Sequence, residues 1–302
     1  MREIKKVILL ILACTLILLT FGCNQERITS KNGNANIFVD SLERKVAIND
    51  SPGKVISLAP AITEILFALD QGDKVVGVTD YCDYPEEALN KPKIGDFENP
   101  NLELIVSAQP DIILVASGIQ TDLISKFEEL NIPVFCLDAR TIDQILSNIK
   151  MVGQIMDAEE KALEITQTME AKIENIQEKV KNQENPLVFF EVWDSPLMSA
   201  GPGTFIDDMI ALAGGINFAK DQKSEFPQIN FETLVEANPD VYIAIAHQKQ
   251  DQIADRPNYE ALKAVQNNRI YTVEDDLVTL PGPRIVNGLE EIAKAIHPEL
   301  FE

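Results

Sequence analysis

Covalent catalysis requires a nucleophile beside a base, or a metal held by several ligands, and this sequence offers few residues for either. It contains two histidines and four cysteines in 302 residues, with no G-x-S-x-G turn and no H-E-x-x-H helix. Acidic residues are abundant, so a secreted hydrolase that uses paired carboxylates stays open as a remote alternative. The side chains favour noncovalent binding over catalysis, and we expect no cofactor and no metal site.

Three isolated polar groups have an ordinary structural interpretation beside a functional one. His247 ends the apolar run DVYIAIAH, where its imidazole could contact a ligand or hydrogen-bond within a loop. Cys82 and Cys136 could form a disulfide in an oxidising compartment or stay as two free thiols, and their spacing matches no metal motif.

The N-terminal residues are typical of an export signal. Basic residues in MREIKK precede an apolar run that is too short to span a membrane and ends at Gly22 before Cys23. This pattern resembles a bacterial lipoprotein signal, in which the Cys is lipidated and becomes the N-terminus. We therefore expect a protein anchored by lipid at Cys23 to the outer face of the cell membrane; the alternative is ordinary secretion, with Cys23 removed or free, and a periplasmic location.

Net charge restricts the partners of the chain. Lys and Arg total 26 against 48 Asp and Glu, which gives a formal charge of −22. Nucleic-acid binding relies on clustered basic residues, so no nucleic-acid partner is expected. The length suffices for two compact domains.

The order of apolar runs predicts an α/β fold. Runs such as KVISLAP, DIILVAS and IPVFCLDA alternate with amphipathic stretches, and the pattern returns after residue 187 with LVFFEVW and DVYIAIA. Residues 101–117 (NLELIVSAQPDIILVAS) align with residues 230–246 (NFETLVEANPDVYIAIA), so that Glu103 pairs with Glu232. Each copy predicts a short helix capped by Asn and then a buried strand.

A long helix should join the two halves, because AEEKALEITQTMEAKIENIQEKVK has apolar residues at helical spacing and no Pro or Gly. The predicted organisation is two similar α/β lobes bridged by one long α-helix, with a ligand cleft between the lobes. Its boundaries are a signal peptide at 1–22, a flexible tether at 23–36, lobes at 37–155 and 184–302, and the bridging helix at 156–183.

Taken together, the motifs resemble the substrate-binding proteins of bacterial ABC importers for cobalamin, iron-siderophores and haem, a class with a helical bridge between its lobes. The resemblance covers residues 44–302 and rests on KVISLAPAITEILFALDQGDKVVGVTDYCDYP, KIGDFENPNLELIVSAQPDIILVAS and LPGPRIVNGLEEIAKAIHPELF. EVWDSPLMSAGPGTF and EFPQINFETL are most similar to the cobalamin-binding branch. The resemblance implies capture of cobalamin or a related corrinoid; the alternative is an iron-siderophore or haem.

The cobalamin branch lines its cleft with aromatic residues and a few polar ones. Carried over position by position, the implied ligand contacts are Tyr81, Phe97, Trp193, Phe226, Asp276 and Arg284. The aromatic residues could instead belong to the core, and Arg284 could lie on the surface or cap a helix.

The family docks on a membrane-embedded permease dimer through one acidic residue on each lobe, and the matching residues are Glu103 and Glu232. Both also follow an Asn cap by two residues, where a carboxylate is stabilised by the helix dipole without any partner. The implied partners are the permease with its cytoplasmic ATPase, a small-molecule ligand and the membrane, and the protein itself is expected to be a monomer.

Overall fold

The fold is seen in a computed structural model that describes residues 35–49, 51–245 and 250–301. The predicted signal segment, the lipidation site Cys23 and His247 lie outside the described residues, as does the predicted tether up to residue 34. In the described part of the chain, no helix is long and apolar enough to cross a membrane.

The N-terminal lobe is a parallel sheet covered by helices. An antiparallel hairpin precedes it, formed by β1 (Ala35–Val39) and β2 (Lys45–Asn49). The sheet strands are β3 (Val55–Ser57), β4 (Val75–Val78), β5 (Ile112–Ala116) and β6 (Val134–Leu137), in the spatial order β4-β3-β5-β6. The helices are α1 (Pro60–Ala68), α2 (Leu102–Ala108), α3 (Thr121–Glu129) and α4 (Ile142–Met156). Strand β6 is buried along its length, as expected where helices cover both faces of a parallel sheet.

The bridge between the lobes is α5 (Glu159–Val180), a helix of 22 residues and about 33 Å. Asp157 adopts the left-handed conformation at the end of α4 and allows the chain to reverse into α5. The two helices then pack closely, because a Cβ added at Gly153 would lie 2.5 Å from the Cβ of Ala162. A side chain at position 153 would therefore push the bridge away from the N-terminal lobe.

The C-terminal lobe repeats the architecture with a five-stranded sheet. Its strands are β7 (Leu187–Asp194), β8 (Leu197–Ser199), β9 (Ile216–Asn217), β10 (Val241–Ile245) and β11 (Ile270–Val273). The order is β11-β10-β7-β8 with β9 also on β7, and only β8 runs antiparallel to its neighbour among these described strands. The helices are α6 (Phe205–Leu212), α7 (Phe231–Ala237), α8 (Gln250–Ala254), α9 (Lys263–Gln266), α10 (Asp275–Thr279) and α11 (Ile285–Ile296).

The repeat seen in the sequence has the same local structure in both lobes. Asn101 caps α2 by accepting hydrogen bonds from the main-chain N–H groups of Glu103 and Leu104 at 3.0 and 3.1 Å. Asn230 caps α7 in the same way, accepting from Glu232 at 2.8 Å. Both helices have seven residues and end at a left-handed residue before a Pro and a buried strand. The two lobes therefore present Glu103 and Glu232 at equivalent places.

One hydrophobic cluster crosses from lobe to lobe. It joins side chains of α1 and α4, such as Ile65 and Ile145, with side chains of α6 and α11, such as Met209 and Leu289. Apolar packing of this kind resists separation, because opening the contact would expose the buried surface to water. The lobes therefore share a core on the side where these helices meet.

Candidate functional site

The candidate site lies at the carboxyl ends of the parallel strands, the usual binding edge of open α/β sheets. Pro60 begins α1 after β3, Tyr81 follows β4, and Phe97 lies on the loop before α2. Together with Asp96, Glu98 and Leu280 of the other lobe, they line a cavity of about 540 Å³. The structure thus brings Tyr81 and Phe97 together at the boundary between the lobes.

The two aromatic residues of this cavity differ in burial. Tyr81 is 62% exposed, whereas Phe97 is half-buried and packs its ring against the main core. The ring of Phe97 is therefore held in place by the core and forms part of the cavity wall, whereas most of the Tyr81 ring is exposed to solvent.

Trp193 and Phe226 lie together on the C-terminal lobe. Trp193, the second-last residue of β7, pairs with Met198 of β8, and Met198 in turn bridges to Gln228, two residues after Phe226. Trp193 is 51% exposed and Phe226 is 44% exposed, so the interpretation of these two as core residues is wrong. Trp193 donates its indole N–H to the main-chain oxygen of Ser195 at 2.9 Å, which fixes one edge of the ring. Neither residue lines the cavity of Tyr81 and Phe97.

Arg284 of the C-terminal lobe forms an ion pair with the N-terminal lobe. Its guanidinium donates to both carboxylate oxygens of Glu64 on α1, at 3.0 and 2.6 Å, and lies 3.9 Å from the ring centre of Tyr84. Asp276 is 3.5 Å away. The Glu64 side chain is 3% exposed and that of Arg284 is 17% exposed, so this ion pair is largely desolvated. The interpretation of Arg284 as a surface or capping residue is wrong, because it joins the lobes.

Burial governs the titration of this pair. Desolvation raises the pKa of the Glu64 carboxyl above its ordinary value, and the hydrogen bond and charge of Arg284 oppose this rise only in part. The hydrogen bond from Arg284 to Glu64 raises the pKa of the guanidinium, against a smaller effect of burial. Arg284 therefore stays charged, while burial opposes ionisation of Glu64 more strongly than Arg284 favours it.

A second groove of about 720 Å³ lies beside the ion pair, with Tyr84, Phe67 and Lys91 on its walls. Glu64 was not predicted as a site residue, although one sequence feature could have found it. It is the acidic residue in the apolar run AITEIL, and α1 buries every residue of that run. A lone charge in a buried helix needs a partner.

Two other polar contacts cross between the lobes. Arg140 after β6 pairs with Glu225, the residue before Phe226. The N–H of Ile142 donates to the carboxylate of Asp208 at 2.8 Å, and burial raises the pKa of that carboxyl. The contact of Arg140 with Glu225 places the Phe226 segment at the lobe boundary.

Comparison with known proteins decides the class of the molecule. Residues 55–277 match the family described as periplasmic binding protein. The chain belongs to that family. This periplasmic binding protein is 35% identical over 271 residues to the uncharacterized ABC transporter substrate-binding lipoprotein YvrC of Bacillus subtilis (strain 168), a match that covers 87% of this chain and 86% of YvrC.

Further relatives carry ligand names. The vitamin B12-binding protein of Vibrio parahaemolyticus is 25% identical over 247 residues, which cover 82% of this chain and 90% of that protein. A possible iron-binding (periplasmic solute-binding) protein of Staphylococcus epidermidis has a structure similar to this periplasmic binding protein, with a TM-score of 0.74 and 29% identity over 82% of this chain and all of that one. The protein is therefore an extracytoplasmic substrate-binding protein of an ABC transporter, a class that works with a permease and its ATPase.

The predicted docking residues of this periplasmic binding protein are exposed. Glu103 and Glu232 occupy the second position of α2 and α7, and both side chains reach solvent. Leu104 and Val106 are also exposed around Glu103. The role of Glu103 and Glu232 in docking stays a prediction.

The two described cysteines are buried free thiols, so the disulfide alternative is wrong. The Cys82 thiol contacts the hydroxyls of Thr63 and Thr79 at 3.1 and 3.2 Å. Burial, together with the nearby Asp40, raises the pKa of the Cys136 thiol to about 12.

Proposed function

We propose that this protein captures cobalamin or a related corrinoid between its lobes and delivers it to the permease of an ABC importer. The observation that carries the proposal is the set of exposed aromatic rings at the lobe boundary, Tyr81, Trp193 and Phe226. Solvent-exposed aromatic side chains on both lobes leave apolar surface that a ligand can cover. A large flat macrocycle would cover them.

The exposed rings supply binding energy of a useful size. If a ligand covered about 100 Å² on each of three rings, burial would contribute on the order of 7 kcal/mol at about 25 cal/mol per Å². Association costs roughly 4 to 15 kcal/mol, so polar contacts must add to this burial. Asp276, near the boundary beside Arg284, is the polar residue that we assign to this role.

The charge of the cavity wall supports a corrinoid over an anionic chelate. Asp96 and Glu98 line the cavity of Tyr81 and Phe97, and no basic side chain lines it among the described residues. Haem carries two carboxylates, and ferric catecholates are also anions, so both would be repelled by these residues. A neutral or cationic corrinoid would meet no such penalty.

We further propose that Glu103 and Glu232 dock on the permease. Equivalent acids on two similar lobes suit a partner with two equivalent subunits, and pairing with Arg would orient the complex. The lipoprotein YvrC supports lipidation at Cys23 as the anchor. In this proposal a monomer of the binding protein serves one permease dimer.

Ligand titration tests the proposal. Trp193 is the one tryptophan of the chain, so quenching of its fluorescence reports on its surroundings, and calorimetry excludes optical artefacts. We expect cyanocobalamin and cobinamide to bind at micromolar concentration or tighter, and haem and ferric catecholates to bind weakly. Trp193→Ala should weaken binding, whereas Leu163→Ala, which truncates a side chain with the same 51% exposure on α5, should not.

An iron-siderophore or haem is the second candidate ligand, and the structural similarity to the possible iron-binding protein of Staphylococcus epidermidis favours it. Binding of haem or a siderophore without binding of any corrinoid would overturn the corrinoid assignment and leave the transporter class intact.

A further inference from the structure

The side chain of Gln120 is a wholly buried amide at the edge of the candidate site. It lies in the short 3-10 turn Gly118–Gln120 that follows β5. Its oxygen accepts the main-chain N–H of Ala116 at 2.9 Å. Its nitrogen donates to the carbonyl oxygens of Leu58 at 2.6 Å and Phe97 at 2.9 Å. Both N–H bonds of the amide are therefore used.

The three partners of Gln120 belong to three separate segments. Leu58 follows β3, Ala116 ends β5, and Phe97 lies on the loop before α2. Leu58 and Ala116 are already held by the sheet, because the N–H of Leu58 donates to Leu114 at 3.0 Å and Ala116 pairs with Leu137. Gln120 thus connects the tip of the Phe97 loop to the carboxyl ends of the two central strands, β3 and β5.

The loop of Phe97 is closed at its base by its own hydrogen bonds. Asn101 donates its N–H to the oxygen of Ile94 at 2.7 Å, and Gly95 bridges to Pro100. Gly95 has φ of 104°, and a Cβ there would lie 2.9 Å from the nitrogen of Asn101, so the closure requires glycine. At the tip, the Asp96 side chain accepts the N–H groups of Glu98 and Asn99, which orders the turn locally. Within the described residues, Gln120 supplies the hydrogen bond that ties the Phe97 carbonyl to the sheet.

We propose that Gln120 is a positioning residue that holds Phe97 at the wall of the 540 Å³ cavity. The inference rests on the proposed function, in which that wall contacts the ligand. An amide suits the position because one nitrogen meets two carbonyl oxygens, whereas a carboxylate has no hydrogen to donate. Removing the donor takes this hydrogen bond from the buried Leu58 carbonyl and the half-buried Phe97 carbonyl, and it frees the loop tip from the sheet.

Hydrogen exchange tests the positioning without any ligand. We would compare the full chain carrying Gln120→Met with the unmodified full chain. The substitution keeps the side-chain length and removes the two donors together with the oxygen that accepts the Ala116 N–H. The amides of Glu98 and Asn99, which donate to the Asp96 side chain, and that of Asn101, which donates to Ile94, should exchange about tenfold faster in the variant, while amides of β10 in the other lobe keep their rates. Unchanged exchange in residues 98–101 would overturn the proposal.

Two further variants separate positioning from general loss of stability. Gln71→Met is the matched control, since the Gln71 amide also donates to a main-chain oxygen, that of Leu69 at 3.1 Å, in the same lobe. It should leave residues 98–101 unaffected. If Gln120→Met does not fold, Gln120→Asn replaces it, because an amide shorter by one methylene cannot reach both carbonyls; the same outcomes decide.

A double-mutant cycle then connects Gln120 to the ligand, with cyanocobalamin as the probe. Gln120→Met should weaken binding about tenfold in the unmodified background and less than about twofold when Phe97→Ala is already present. Equal weakening in both backgrounds would show that Gln120 does not act through Phe97. If the unmodified protein fails to bind cyanocobalamin, the proposed ligand is wrong, and the exchange experiment still decides the role of Gln120.

Discussion

Replacing Arg284 by Met removes one partner of the desolvated ion pair that joins the lobes. Glu64 would keep a carboxyl that is 3% exposed without the two hydrogen bonds from the guanidinium. Breaking a buried pair in this way costs about 3 to 5 kcal/mol. Glu64 can limit the cost by taking up a proton, so we expect Arg284→Met to lower the free energy of unfolding by about 3 kcal/mol near neutral pH.

The cost of Arg284→Met should depend on pH with a definite sign. Burial already raises the pKa of Glu64 in the folded protein, and loss of Arg284 raises it further. A carboxyl whose folded pKa is raised contributes stability that is present at low pH and is lost as pH rises through that folded pKa. The destabilisation by Arg284→Met should therefore be larger near pH 8 than near pH 5, by about 1 kcal/mol or more.

Urea denaturation at the two pH values measures this difference, with two comparison variants. Lys150→Met breaks the exposed pair of Lys150 with Glu170, which lies at 2.9 Å, and should cost less than about 1 kcal/mol at either pH. The double replacement Glu64→Leu with Arg284→Met should cost less than Arg284→Met alone, because no buried charge is left. A pH-independent cost of Arg284→Met, or a double variant less stable than the single, would refute the reasoning.

Three other predictions concern docking, stability and thiol reactivity. Glu103→Ala with Glu232→Ala should leave ligand affinity nearly unchanged and impair uptake by cells; equal loss of both would contradict docking. Two lysine partners lower the pKa of Glu290 to about 2, so Glu290→Gln should cost up to about 1 kcal/mol near pH 7, with the difference vanishing as pH falls from about 4.5 toward 2, as measured by urea denaturation. Cys82 and Cys136 should react with a thiol reagent only after unfolding, and rapid labelling of the folded protein would contradict their burial.

The sequence predicted those parts of the fold that local patterns determine. Asn101 and Asn230 predict the starts of their helices, because an N-cap interaction involves only residues adjacent in sequence. The bridging helix occupies Glu159–Val180, within the expected segment 156–183. From the sequence alone, the exposed position of Trp193 could not be distinguished from a position in the core, because an apolar side chain near the end of a strand fits either environment. Its place at the lobe boundary depends on β8 and the Phe226 segment packing beside it.

The ion pair of Glu64 with Arg284 shows why the remainder needed the structure. The two residues are 220 positions apart in the chain. The apolar run around Glu64 indicates that this carboxyl needs a partner but not which one, and Arg284 has an ordinary local interpretation before a helix. Their pairing follows from how α1 packs against the opposite lobe, which no local pattern specifies. Gln120 is a similar case, since its two carbonyl partners are 62 and 23 positions away.

The interlobe contacts favour a small closing motion on ligand capture. The shared core, the pair of Glu64 with Arg284 and the bond of Ile142 to Asp208 hold the lobes together near the helices. The aromatic rings and the exposed pair of Arg140 with Glu225 lie where the sheets end. A wide clamp would have to separate buried apolar surface, whereas covering exposed rings costs only local adjustments of loops. Capture by a nearly preformed surface is therefore the mode that this distribution of contacts favours.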